Sequence, residues 1–179
     1  MNKFLWPLGA FALLAVVLAI GVKRAPEKST IASVLIGRPA PAFDLPNLTN
    51  PSARVSTAAL QGKPYVLNVW ATWCGACREE HQSLLELQRL GQVPIIGLNW
   101  RDDDAGALEW ITQLGNPYSQ IAVDKDGRTA IDWGVYGAPE TFLIDAKGIV
   151  IHKHVGPMSL DIWKRDFEPR IAGRKVNPT

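Results

Sequence analysis

The stretch "YVLNVWATWCGACREEHQSLLELQRLG", residues 65–91, decides the fold. Tyr65–Trp70 is a short apolar run with the length and composition of a buried strand. From about Cys74 to Leu90 the apolar positions Leu84, Leu85 and Leu87 fall near helical spacing, and Gly91 ends the pattern. A strand therefore runs through Ala71-Thr72-Trp73 straight into a helix. Cys74 sits at or near the start of that helix and Cys77 follows one turn later. The chain has no other cysteine.

A helix start carries unpaired N–H groups and the positive end of the dipole, and both favour a thiolate. The thiolate is the nucleophile of disulfide chemistry. Cys74 is therefore expected to be the exposed, attacking sulfur, with Cys77 shielded one turn deeper and resolving the mixed disulfide. Other uses compete. A structural disulfide over so short a loop removes little chain entropy. Zinc is a sharper rival, since Cys74, Cys77 and His81 read C-x2-C-x3-H. A structural zinc site needs four ligands, so His152 or His154, which alternate along a strand toward one face, would have to complete it. Haem attachment needs His directly after the second cysteine, and Arg78 stands there. Exchange chemistry needs no cofactor and no metal, because the cysteine pair itself carries the electrons.

Working outward, Val93–Leu98 is a second buried strand. Asp104 can cap a helix with Ala107, Leu108, Ile111 and Leu114 as its stripe. Ile121–Val123 is a short strand, followed by a small helix near Arg128–Trp133. Thr141–Ile144 and Ile149–Val155 flank a hairpin turn at Asp145–Gly148. Ser159 can start a last helix with Leu160, Trp163, Phe167 and Ile171 inward. Upstream, "GRPAPAFDLPNLTNPSARVSTAAL" predicts a hairpin-like extension ending in a helical turn near Thr57–Leu60, its prolines confining it to edge positions. Alternating strands and helices imply an α/β fold with a parallel sheet core, made mixed by the closing hairpin.

The N-terminus differs. Phe4 to Val22 carries no charge. At ~1.5 Å per residue it reaches about 28 Å, close to the hydrocarbon thickness of a bilayer. This predicts a transmembrane anchor over 1–22, a linker over 23–36 and the α/β domain over 37–175. A cleaved signal peptide is the alternative, with Ala19-Ile20-Gly21 as its small-x-small site. Lys3 precedes the span, while Lys23, Arg24 and Lys28 follow it. Counting basic residues alone thus slightly disfavours export of the domain. With 19 basic and 17 acidic residues and no basic stripe interleaved with aromatics, nucleic acid is not an expected partner.

"VWATWCGAC" resembles the active site of the thioredoxin superfamily. "GVYGAPETFLID", residues 134–145, resembles the cis-proline loop of one branch, the membrane-tethered CcmG/DsbE family of cytochrome c maturation. "RDDDAGALEWITQLGNPY", "GRPAPAFDLPNL" and "CREEH" are similar to that family too, so the likeness covers Ile36 to Ile171. It implies a thioredoxin-like fold and thiol:disulfide oxidoreductase activity. It places the domain in the periplasm, held by a single span in the bacterial inner membrane. Implied partners are apocytochrome c or a maturation thiol protein as client, and a membrane thiol-disulfide transporter as electron donor.

The resemblance also implies site residues around Cys74 and Cys77. Pro139 would be the cis-proline beside the cysteines. Glu140 and Glu80 would belong to acidic surroundings, and Trp73 would cover the disulfide and offer an apolar face to a client. Gly75-Ala76 stands where the family usually has Pro-Thr. It brings no cation to stabilise a thiolate, while Glu79, Glu80 and Glu140 would oppose one, which favours a reductant. Many thioredoxins have a buried acid at the place of Asn68, and Glu80 is expected to serve instead. A peroxiredoxin is less favoured, because Leu67 stands where that pattern has proline. A general periplasmic reductant with other clients remains the nearest alternative.

Overall fold

The structure, a computed structural model, describes residues 5–24 and 33–173. Contacts divide the chain into two units, Met1–Ile31 and Ala32–Thr179. In the first, α1 spans Leu5–Arg24. Its described side chains, Trp6 to Ile20, are all exposed. Among the described residues no helix is long and apolar enough to cross a membrane. Positions 1–4 of the expected anchor, 25–32 of the expected linker and 174–175 of the expected domain lie outside the described residues.

In the second unit, β1 (Asp44–Pro46) and β2 (Arg54–Ser56) form an antiparallel hairpin, and α2 (Thr57–Leu60) follows. Then come β3 (Tyr65–Trp70), α3 (Gly75–Leu90), β4 (Ile95–Trp100), α4 (Asp104–Leu114), β5 (Gln120–Asp124) and α5 (Arg128–Asp132). The closing pair is β6 (Glu140–Ile144) and β7 (Val150–Val155). The last helical segment is α6 (Leu160–Ile162), a π-helical stretch Trp163–Phe167, and α7 (Glu168–Ile171). The main sheet has the order β5-β4-β3-β6-β7, with β3, β4 and β5 parallel and β6 and β7 antiparallel. The small hairpin continues to the edge strand β5, where the Leu48 N–H donates to Ile121 O at 2.9 Å.

Strand β3 is buried along its whole length because neighbours flank it and both faces are covered. Period-two alternation sends its side chains to two cores. Val66 and Trp70 join the core that holds the cysteines, Leu84, Leu87, Trp110, Trp163 and Phe167. Tyr65, Leu67 and Val69 join Phe43, Val55, Trp133 and Phe142 on the other face. Leu35 packs against that second core, so the unit's packing starts before position 37.

Two expectations for α4 change. Its cap is Asp103, whose carboxylate accepts from Gly106 N–H at 2.9 Å. Its inward stripe is Ala107, Trp110 and Ile111, while Leu108 is 39% exposed. Ala107-Trp110-Ile111 follows the i, i+3, i+4 rule, and a bulky aromatic in that register takes the core. The last helix starts at Ser159 and buries Trp163 and Phe167, whose rings stack at 5.1 Å. It widens into a π turn just before Pro169, which has no N–H to continue a regular α-helical ladder.

Gly97 on β4 is required by a close approach. A Cβ there would lie 2.8 Å from Trp70 Nε1 and 3.0 Å from Tyr118 Cγ, and those two rings stack at 5.4 Å. Gly97→Ala should therefore cost about 1–3 kcal/mol through overpacking. Chemical denaturation measures it, and an unchanged midpoint contradicts the packing account.

Candidate active site

Cys74 is the N-cap of α3. Its Sγ accepts from Cys77 N–H at 3.1 Å, and the two cysteines are joined as a disulfide with Cα atoms 5.3 Å apart. Both are buried, Cys74 at 6% exposure and Cys77 at 3%. The expectation of an exposed Cys74 is corrected to a small difference. Capping and bonding turn Sγ back over the first helical turn, against the core that contains Trp70 and Ala71. The neighbouring surface is open instead: Gly75 is exposed, and so is Trp73, at 56%. The Trp73 indole donates to Arg101 O at 3.1 Å and leans on Trp100. Trp70 lies beneath the site, stacked on Tyr118.

The helix buries Cys77, Glu80, His81, Leu84 and Leu87 on one face. Two polar residues thus sit on the core stripe, a signal readable from their spacing to Leu84 and Leu87. Glu80 is 1% exposed. Its Oε1 accepts from Asn68 Nδ2 at 2.8 Å and its Oε2 from Met158 N–H at 2.7 Å. Asn68 also donates to Thr141 Oγ1 at 3.1 Å and accepts from Tyr118 O–H at 2.9 Å. Loss of hydration pushes the Glu80 carboxyl up to about 7, against the opposing pull of the Met158 and Asn68 hydrogen bonds. The Tyr118 phenol is pushed well up, by burial first and by Glu80 second.

His81 is committed elsewhere. Its Nδ1 accepts from Trp110 Nε1–H at 3.2 Å, which leaves Nε2–H to donate to Gly115 O at 3.0 Å. Burial lowers its pKa, consistent with this neutral form. His152 and His154 lie on β7 opposite Leu143 and Thr141, and the His152 ring packs on Phe167 at 5.0 Å. Among the described residues no group of three or more His, Cys, Asp and Glu could hold a metal ion.

The Ala138–Pro139 peptide is cis and leads into β6. Glu140 takes the opposite face of the sheet from Glu80, because it alternates with Thr141, whose hydroxyl meets Asn68. Its Oε2 pairs with Lys153 Nζ at 2.8 Å, with both side chains buried, and its Oε1 accepts from Tyr136 N–H at 3.2 Å. Lys153 also donates to Gly134 O at 2.9 Å and lies over the Tyr136 ring. Glu140 is therefore not a free acid opposing a thiolate. It is one half of an ion pair that ties the 134–139 loop to β7. Lys153 carried no sequence signal beyond its place in a β-rich run; register alone brings it here.

Residues 35–168 match the family model for Redoxin. The chain is 47% identical over 165 residues to the thiol:disulfide interchange protein DsbE of Pseudomonas aeruginosa, covering 92% of this chain and 90% of that protein. The DsbE of Allochromatium vinosum is 44% identical over 171 residues, covering 96% and 93%. The chain belongs to the DsbE family of thiol:disulfide interchange proteins. A solved structure described as DsbE from Chlorobium tepidum superposes with a TM-score of 0.65 at 30% identity, covering 77% of this chain and 96% of that one. As a DsbE-family member with a Cys74–Cys77 disulfide, the chain is a thioredoxin-like thiol:disulfide oxidoreductase.

Two measurements follow from the glutamates. Folded Glu80 keeps its proton up to about 7, whereas a solvated carboxyl loses it near 4.5. Between those values the folded state holds more protons, so this group's contribution to stability falls as pH rises. His152, lowered to about 4 chiefly by burial, acts in the opposite sense over an overlapping window. The difference between wild-type and Glu80→Gln stability curves isolates the Glu80 part. That difference should change between pH 4.5 and 7 and be flat above; a constant offset contradicts the assignment. Lys153→Met leaves Glu140 buried without its partner and should cost about 3–5 kcal/mol. Adding Glu140→Gln should recover part of this loss in denaturant titrations.

Proposed function

We propose that the chain is a membrane-tethered periplasmic reductant in cytochrome c maturation. It keeps the haem-binding cysteines of apocytochrome c reduced, directly or through a maturation thiol protein. The observation that carries this reading is the Cys74–Cys77 pair at the start of α3, with buried Glu80 one turn further along the same face.

In the reduced form the Cys74 thiolate attacks a client disulfide. One client sulfur leaves as a thiolate and a mixed disulfide forms. Cys77 then loses its proton and attacks Cys74 Sγ, releasing the second client sulfur and closing the Cys74–Cys77 bond. Two electrons pass to the client. Glu80, with its proton equilibrium near 7, is the group suited to take the Cys77 proton. A membrane thiol-disulfide transporter returns the two electrons. No cofactor enters this cycle.

Direction rests on the thiolate environment. Gly75-Ala76 brings no cation next to Cys74, and Glu80 is a buried acid on the helix that follows it. Weak thiolate stabilisation favours the disulfide form and so a reducing dithiol. The uncharged Phe4–Val22 segment supports a single span that holds the domain at the bilayer, where donor and client both work.

Cys77→Ser should trap clients on Cys74 as mixed disulfides in membranes. Cytochrome maturation components are the expected catch. Capture of general secreted proteins alone would replace this role with that of a broad periplasmic reductant.

A further inference from the structure

The segment that presents Cys74 is held by a loop from another part of the chain. Thr72 and Trp73 precede Cys74, and both their polar side-chain groups and the Thr72 N–H bond to Arg101 and Asp102. The Thr72 N–H donates to Asp102 Oδ2 at 2.6 Å and the Thr72 hydroxyl to Asp102 Oδ1 at 2.5 Å. The same carboxylate accepts from Asn99 Nδ2 at 2.9 Å and from Asp103 N–H at 2.9 Å. Asp102 is buried, so each of these bonds stands in for lost hydration. The Trp73 indole N–H goes to the adjacent Arg101 carbonyl, at 3.1 Å.

Arg101 has φ 48, a left-handed conformation that non-glycine residues rarely adopt. Its surroundings enforce it. Arg101 N–H donates to Asp124 O at 3.0 Å, and its Nε donates to Asp126 O at 3.1 Å. Its side chain crosses Gly127, where a Cβ would lie 2.3 Å from Nε. Lys125 Nζ donates to Asp102 O at 2.9 Å. This sharp turn lets two successive residues, Arg101 and Asp102, both reach the cysteine loop. Backbone strain held in place by neighbours is a frequent mark of a functional position.

We propose that Asp102 is a positioning residue for thiol-disulfide exchange. By accepting from both the N–H and the hydroxyl of Thr72 it fixes the peptide that sets Cys74 at the helix cap and Trp73 at the rim. It does not touch sulfur. Exchange depends on the approach of an incoming sulfur to one placed atom, and small displacements of a reacting group are costly in rate. The inference rests on exchange at Cys74, not on which client is reduced.

The test uses the reduced full chain in detergent, with 5,5′-dithiobis(2-nitrobenzoate) as the disulfide probe. Asp102→Ala should slow the reaction of Cys74 about tenfold. It should also speed hydrogen exchange at the Trp73 indole N–H, read by NMR. Asp102→Asn removes the charge and gives up the Asp103 N–H bond, but keeps an oxygen for Thr72 N–H and Asn99, and Thr72 can turn its hydroxyl to accept from the new amide. That variant should stay within about threefold of wild type in rate and keep the indole protected. A folded Asp102→Ala protein reacting at the wild-type rate would overturn the proposal. So would an Asp102→Asn protein as slow as the alanine variant with its indole still protected, since charge rather than position would then be responsible. If Asp102→Ala does not fold, Thr72→Val removes the hydroxyl bond alone; it should slow the reaction and loosen the indole, and no change in either counts against the proposal.

Discussion

A carboxyl group deprived of water must find its hydrogen bonds in the protein, and Glu80 finds them from two directions. Asn68 reaches it from the middle of β3 and Met158 from the loop before the last helix, while Glu80 itself projects from α3. Through Asn68 the set extends to Thr141 on β6 and to Tyr118 ahead of β5. The helix that carries both cysteines is thereby pinned to the sheet by polar groups as well as by Leu84 and Leu87. Each member is satisfied by another, which is the condition under which a buried polar network stabilises a fold.

The two glutamates of the site show how much the face of a sheet decides. Glu80 faces the cysteine side, has no cation beside it in the network and is held near neutrality in pKa. Glu140 follows cis-Pro139 but points to the other side, where Lys153 balances it within 2.8 Å. One residue type thus does two jobs. Glu80 is suited to exchanging a proton, whereas Glu140 anchors the 134–139 loop to β7.

The disulfide itself is nearly buried, yet the rim around it is not. Trp73, next to Cys74, is 56% exposed, and Gly75 on its other side is exposed and brings no side chain. The oxidised pair is sheltered from bulk solvent, and Trp73 is braced from behind by the Arg101 turn. Trp73 is thus a braced, exposed apolar edge beside the cysteines.

The order of strands and helices, the placement of the cysteine pair at a helix start and the membership of the DsbE family were all legible in residue types and spacing. Those features depend on neighbours within a turn or a strand, and local pattern records them. The α4 stripe was only partly legible, because both Leu108 and Trp110 fit an apolar pattern and packing chose the tryptophan. The sequence by itself determined the chemistry available: two thiols, a nearby acid and a proline loop. Tertiary structure decided which acid is free and which is paired, that His81 is engaged by Trp110 and Gly115, and that Asp102 holds the cysteine loop. Those outcomes depend on strand register and loop docking between residues as far as 78 positions apart, and no local spacing encodes them.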